Sequence, residues 1–295
     1  MENFKTPFNW VGNKYKFINE INKIVEGKYY NRVMDMFMGS GNVLFNISAK
    51  ANDYIGNDNI KLLPGIYNQL CGKEYVYTLL DVENILDKFD RFSTKESYYT
   101  FRTEWNKKYL SNIFDKEFIM ETILLLKMCS NSMVRFNPKE GYFNQGFRGL
   151  GKKAEFFTES MKILCVDGLN KLIKNMQERI YEFKNTDFIN YVDVGSDDLL
   201  ILDPPYILRK DMYDTSWTEA HDRKLIELIS TTKNDFIYFN YIERDGIVNQ
   251  DLMDFIKDSG LSYILINNKT LAGQGRSENI TEVKEVIITN IITIK

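Results

Sequence analysis

Two hydrophobic rhythms divide the chain. From about residue 62 to 182, apolar residues recur every three or four positions in "LLDVENILDKFDRF", "KESYYTFRTEWNKKYL", "DKEFIMETILLLKMCSN" and "MKILCVDGLNKLIKNMQERIYEF". That spacing predicts amphipathic helices. On either side the apolar residues gather into short runs bounded by Gly, Asn and Asp, which read as strands: 31–37, 53–57, "YEFKNTDFI", "DLLILD", "DFIYFNYI", "LSYILINN" and "EVKEVIITNIITIK". The first run leads through the tight turn "MGSG" into a helix at "NVLFNISAK", and the second ends at Asp58. Strand, glycine turn, helix, strand and acid form the opening of an open α/β sheet. The pattern therefore predicts a sheet domain from residues 1–65 and 185–295, interrupted by a mainly helical segment at 66–184. Within that segment, "SMVRFNPKEGYFNQGFRGLGKKAEFF" breaks the helical rhythm and reads as a loop rich in Gly, Asn, aromatic and basic residues.

Composition narrows the class without choosing a function. The 295 residues are 44% apolar and 27% charged, ordinary for a chain with a sizeable core. No apolar run approaches the roughly 20 residues needed to span a bilayer, and "MENFKTPFNW" lacks the layout of a signal peptide. Cys71, Cys129 and Cys165 are odd in number and widely spaced, which suggests neither a disulfide framework nor a zinc site and fits a reducing cytoplasm. Net charge is only −3, but it is unevenly distributed. Residues 127–179 carry ten Lys or Arg against five Asp or Glu, whereas 195–260 carry seven against fourteen. A basic middle segment in an acidic protein is either a solvated face or a surface for a polyanion.

Three constellations carry chemistry. "DMFMGSGN" sets Asp35, Gly39 and Gly41 where a strand hands over to a helix, and Asp58 follows Gly39 by 19 residues, a placement suited to holding ribose hydroxyls. It is not G-x-G-x-x-G, so it does not specify a dinucleotide. In "LLILDPPY", residues 199–206, an apolar run delivers Asp203 followed by two prolines and Tyr206. Prolines cannot continue a central strand, and they hold the carboxylate and the next carbonyl in a rigid geometry. In "PFNWVGNKYKFI", Trp10 and Lys14 flank Gly12 and Asn13 ahead of an amphipathic helix.

Taken in order, "PFNWVGNKYKF", "DMFMGSGNV", "GND" and "LDPPY" resemble the adenine-specific DNA methyltransferases of the Dam class, known from phages and restriction systems. The resemblance spans nearly the whole chain. It implies a Rossmann-like α/β sheet that uses S-adenosylmethionine, releases S-adenosylhomocysteine and needs no metal. The helical segment is then a target-recognition domain, with its DNA-binding loop at about 132–153. The cofactor would be held by Trp10, Lys14, Asp35, Gly39, Gly41, Asp58 and, in the "TDF" stretch, Asp187 and Phe188. Asp203 and the Pro204 carbonyl would accept hydrogen bonds from the adenine amine, with Tyr206 stacked on the ring. A base inside a duplex cannot reach such a pocket, so the adenine must be flipped out.

For double-stranded DNA, Arg135 and Asn137 match positions that touch DNA in relatives, and their shapes suit guanine and adenine edges. Lys139, Arg148, Lys152 and Lys153 suit phosphates, and Tyr213 could intrude into the opened duplex. His221, the sole histidine, reads as helix surface. Relatives that recognise GATC usually carry proline where Gly146 stands in "QGFRGLGKK", so the target sequence is not set by the resemblance. A restriction endonuclease of the same specificity is a further partner that the resemblance admits. Two rival readings remain: an amino-group methyltransferase acting on RNA or protein glutamine, and a non-catalytic nucleic-acid binder. The first more often has Asn in place of Asp203, and the second would need neither Asp203 nor Asp58.

Overall fold

The computed structural model describes residues 3–130, 134–151, 156–190, 194–206, 217–244, 246–271 and 280–291, with side chains outside 267–271 and 280–282. A 3₁₀ turn at Tyr15–Phe17 leads into α1 (Ile18–Ile24), then β1 (Tyr29–Asp35), α2 (Asn42–Asn46), β2 (Lys50–Asn57) and α3 (Leu62–Leu70). Four helices follow: α4 (Leu79–Lys88), α5 (Lys95–Leu110), α6 (Lys116–Met128) and α7 (Glu159–Met176). The chain then forms β3 (Tyr181–Lys184), β4 (Leu199–Leu202), α8 (Glu219–Thr231), β5 (Asp235–Arg244), β6 (Ile247–Val248), α9 (Gln250–Ser259), β7 (Ser262–Leu271) and β8 (Ile280–Thr289).

The strands make one sheet in the order β3-β2-β1-β4-β5-β8-β7, with β6 attached to β5. Neighbours from β3 to β5 are parallel, and β8 runs antiparallel between β5 and β7. This is the expected Rossmann-like α/β arrangement. The strand order reverses between β1 and β4, and a crevice opens beyond the carboxyl ends of strands at such a point. β3 lies in the sheet, paired with β2. The domain boundary expected after residue 184 therefore has to move ahead of it. Only Tyr181–Lys184 of "YEFKNTDFI" is strand; Phe188–Asn190 is a 3₁₀ turn.

Burial explains why β4 reads as a continuous apolar run. Its four residues are all buried and alternate between two cores, as the two-residue period of a strand requires. Leu199 and Ile201 join a core that extends to Phe101, Trp105 and Leu124 of the inserted helices. Leu200 and Leu202 face Leu225 and Ile229 of α8 and Leu252 and Ile256 of α9.

The helices start where their side chains can take the free backbone donors. Thr78 and Asp81 form a capping box on α4, Thr94 and Ser97 another on α5, and Asp115 accepts from the Phe118 amide on α6. In the helical core, Trp105 stacks between Tyr109 and Phe118 at 5.2 and 5.0 Å, and its indole donates to Thr122.

The glycine turn has a packing reason that its sequence conceals. Gly41 is the left-handed N-cap of α2 (φ +69°), and a Cβ there would lie 2.5 Å from the Phe45 ring. Gly41→Ala adds left-handed strain to overpacking and should destabilise the protein by about 2–4 kcal/mol. Urea unfolding checks this, and a variant within about 0.5 kcal/mol of the parent would contradict it.

Candidate active site

The amino-terminal segment is stitched over the glycine turn by two amides one helical turn apart on α2. Asn42 Oδ1 accepts from the Thr6 amide, and Asn46 exchanges two bonds with the Phe4 backbone. This brings Trp10 onto Gly39, where a Cβ would meet the indole at 3.0 Å. Gly39 (φ +48°) is thus shaped for a close side-chain approach as well as for its turn.

Asp35 closes β1, and Asp58 and Asp203 directly follow β2 and β4, so the parallel register delivers three carboxyl groups to one cleft. The cleft holds about 990 Å³ of non-protein space and is also lined by Trp10, Lys14, Gly39, Asp187, Phe188 and Pro204. Buried Asn57 ties its rim together: its amide donates to the carbonyls of Met36 and Thr186 and accepts from the Thr186 amide. The loops after β1, β2 and β3 therefore share one side chain.

Each acid has its own environment. Asp58 accepts from the amides of Gly39 and Ile60, both at 2.9 Å, so it fastens the glycine turn it faces. Burial lifts its pKa to about 6, against the pull of those two donors. Asp35 is fully buried, and burial followed by the charge of Asp203 pushes it well above the usual carboxylate range. Burial also raises Asp203, but Lys14 Nζ at 2.8 Å from Oδ2 and the Tyr206 hydroxyl at 2.8 Å from Oδ1 oppose that.

Phe37, Phe188 and Trp217 also line the cleft, packed on one another as an aromatic cluster with ring centroids 5.0–6.1 Å apart. Asp187 lines the cleft beside Phe188, accepting from the Ile189 amide and pairing with His221 Nε2 at 3.0 Å.

Three expectations need correction. Gly41 does not line the cleft; it is buried against Phe45 for the packing reason above. Tyr206 is 5% exposed, with its ring edge-on to Tyr241 and its hydroxyl committed to Asp203 and Glu285, so it offers no face to a base here. His221 is 7% exposed and part of the cleft wall, not helix surface. It shares the buried stripe of α8 with Leu225 and Ile229, a four-residue spacing visible in the sequence. Asn57, Trp217 and Glu285 gave no comparable local signal.

The segment read as a loop at 132–153 is a narrow hairpin over its described part, with bridges Phe136–Phe143 and Cys129–Phe147. One face of α5 fastens it. Tyr98 donates to the Gln145 carbonyl, Arg102 to the carbonyls of Asn144 and Gln145, and Asn106 both donates to and accepts from the Phe143 backbone. Arg135, Lys139 and Arg148 are exposed, the last also donating to the Lys127 carbonyl. Asn137 is turned inward: its Oδ1 accepts from the amides of Lys139 and Glu140, and its Nδ2 donates to Tyr142. Its side chain therefore builds the turn before it can touch any base. Lys152, Lys153 and Tyr213 lie outside the described residues.

The model of the D12 class N6 adenine-specific DNA methyltransferase family matches residues 10–272, from Trp10 through the cleft and hairpin. The chain belongs to this family. Among curated relatives, the type II methyltransferase M.FokI of Planomicrobium okeanokoites is 23% identical over 299 residues, covering 97% of this chain and 43% of the relative. The modification methylase StsI of Streptococcus sanguinis is 26% identical over 303 residues, covering 98% of this chain and 43% of the relative. The chain thus spans less than half the length of either relative. The D12 match contains all three strand-end acids, whereas Glu285 on β8 lies beyond it.

Proposed function

We propose that the chain is a site-specific DNA adenine methyltransferase that uses S-adenosylmethionine to methylate the exocyclic amine of a flipped-out adenine. The observation that carries this reading is Asp203, fixed by two prolines at the end of β4 in a cleft with two further carboxyl groups and an aromatic wall. The donor set fits the cofactor. Asp35 is buried and raised in pKa, so an ammonium beside it would be strongly favoured. Asp58 suits ribose hydroxyls, and Phe37, Phe188 and Trp217 with Asp187 at their edge suit a purine. Trp10, Lys14 and Gly39 close the remaining wall.

When bound, the cofactor supplies an electrophilic methyl group on a sulfonium. The chain's own residues prepare the acceptor. The adenine amine is a poor nucleophile because its lone pair is delocalised into the ring. Asp203 and the Pro204 carbonyl, accepting from its two N–H groups, would draw the nitrogen toward a tetrahedral geometry and localise that pair. Positioning and electrostatics then supply most of the catalysis, with no covalent enzyme intermediate. Asp203 stands ready to take the surplus proton from the methylated nitrogen.

The sheet is the catalytic unit in this reading, and the inserted helices with their hairpin recognise double-stranded DNA in the cytoplasm. Arg135 reaches base edges, and Lys139 and Arg148 meet phosphates. The relatives' names, a type II methyltransferase and a modification methylase, support a place beside a restriction endonuclease. Incubation with labelled S-adenosylmethionine and genomic DNA, followed by sequencing that reports methyladenine, is expected to yield product at one short motif. Label on RNA or on protein glutamine instead would overturn the choice of acceptor. No label on any of them would favour a non-catalytic binder.

A further inference from the structure

Glu285 is 4% exposed on β8, opposite Tyr241 of β5 in the antiparallel register. The two groups that hold Asp203 also hold it. Lys14 Nζ lies 2.8 Å from Asp203 Oδ2 and 3.4 Å from Glu285 Oε1. The Tyr206 hydroxyl lies 2.8 Å from Asp203 Oδ1 and 3.1 Å from Glu285 Oε1. A phenol has one hydrogen, so the two carboxyl groups compete for it. Lys14 also donates to the Gly12 carbonyl and sits 5.1 Å from the Tyr206 ring centre. On the outer side, exposed Lys16 approaches Glu285 Oε2 at 3.8 Å.

We infer that Glu285 is a positioning residue for methyl transfer: it holds Lys14 and Tyr206 in place and keeps the Lys14 ammonium from fully neutralising Asp203. The inference rests on the reading of Asp203 as the clamp for an amine. That amine gains positive charge as it is methylated. With both carboxyl groups ionised, Asp203, Glu285 and Lys14 together carry one net negative charge, complementary to the change at the nitrogen. Without the Glu285 charge the trio is neutral, and Lys14 is drawn onto the oxygens that should face the amine.

The consequence for pH has a definite sign. Burial raises the Asp203 pKa most, Lys14 and Tyr206 lower it, and the Glu285 charge raises it further. Removing the Glu285 charge takes away one of the influences that raise it, so Asp203 ionises at lower pH and the acid limb of the rate profile moves down. Lys14 and Lys16 face Glu285 from the amino-terminal segment, Asp203 and Tyr206 from beyond β4, and Tyr241 from β5; Asp35 acts on Asp203 from β1. None of these changes in Glu285→Gln, which keeps the shape of the side chain.

The test is methylation of genomic DNA by the wild type, E285Q, K14M and K14M/E285Q, followed from about pH 5 to 9. E285Q is expected to lose about tenfold or more in kcat, keep KM for DNA within about twofold, and shift its acid limb to lower pH. In the K14M background the same change should alter kcat by less than about twofold, because the cation it balances is gone. If E285Q does not fold, E285D, which keeps the charge on a side chain one methylene shorter, takes its place: a fall in kcat with KM for DNA unchanged is expected, and wild-type kcat would overturn the inference. Wild-type kcat and an unmoved acid limb in E285Q would overturn the inference, as would an equal loss with and without Lys14. A wild type that yields no methyladenine overturns the functional reading itself, which the variants then need not address.

Discussion

Asp203→Ala should abolish methyl transfer while leaving the protein folded. Without the carboxylate, one N–H of the adenine amine has no acceptor, and the charge building on the nitrogen has no counter-charge beside it. Removing a single preorganised electrostatic partner from an active site costs about 10²–10³ in rate. Asp203 is both hydrogen-bond acceptor and counter-charge, so a loss of about 10³ or more is expected. The fold should survive because Lys14 still has Glu285 within 3.4 Å, and the Tyr206 hydroxyl still has Glu285 at 3.1 Å. Neither polar group is stranded in the core, which is the usual cause of a severe loss of stability. Single-turnover transfer from labelled cofactor gives the rate, and thermal unfolding gives the stability. Turnover within about tenfold of the parent would remove Asp203 from the reaction.

The second large effect belongs to Asp58. Asp58→Ala should weaken S-adenosylmethionine binding about 100-fold, measured by calorimetric titration, because a charged acceptor is lost and the Gly39 amide loses its partner. The same carboxyl predicts a pH dependence with opposite signs for folding and binding. Its pKa is about 6 in the folded protein, above the ordinary value of 3.8. Its contribution to stability is therefore fully present below the unfolded value and lost as pH rises through about 6. Cofactor binding needs the ionised form as acceptor, so affinity should fall as pH drops below that same value. Binding that stays flat between pH 7 and 5, or an Ala variant with parental affinity, would contradict this assignment.

Legibility from sequence followed how local each signal was. Asp35, Asp58 and Asp203 stood out because each ends an apolar run, and parallel strands bring their carboxyl ends together. The helices of the insertion were legible from spacing, and the stretch "KESYYTFRTEWNKKYL" coincides with α5, Lys95–Leu110. Glu285 was not, because a glutamate within "EVKEVIITN" looks like any outward-facing strand residue until Lys14 arrives from 271 positions away. Gly41 misled because a glycine in a strand-to-helix turn suggests ligand approach, whereas here the approaching ring is Phe45 four residues on. Asn137 misled because an amide in a basic loop suggests base reading, whereas an asparagine two residues before a free amide also makes its own turn. His221 is legible from spacing, because it stands four and eight residues before Leu225 and Ile229 on the stripe that α8 buries.

The way α5 grips the hairpin has a bearing on how such proteins diverge. Tyr98, Arg102 and Asn106 hydrogen-bond main-chain groups of residues 143–145, Ser130 adds its hydroxyl bond to the Gly146 carbonyl, and Tyr98, Trp105 and Tyr109 pack on the rings of Phe147, Phe143 and Phe136. A mount made to peptide groups and three inward rings is indifferent to the exposed side chains between them. Substitutions at exposed positions such as Arg135 and Lys139 can then alter the sequence preferred on DNA without loosening the attachment. Target choice and chemistry can drift apart over evolution, one changing quickly while the other stands still.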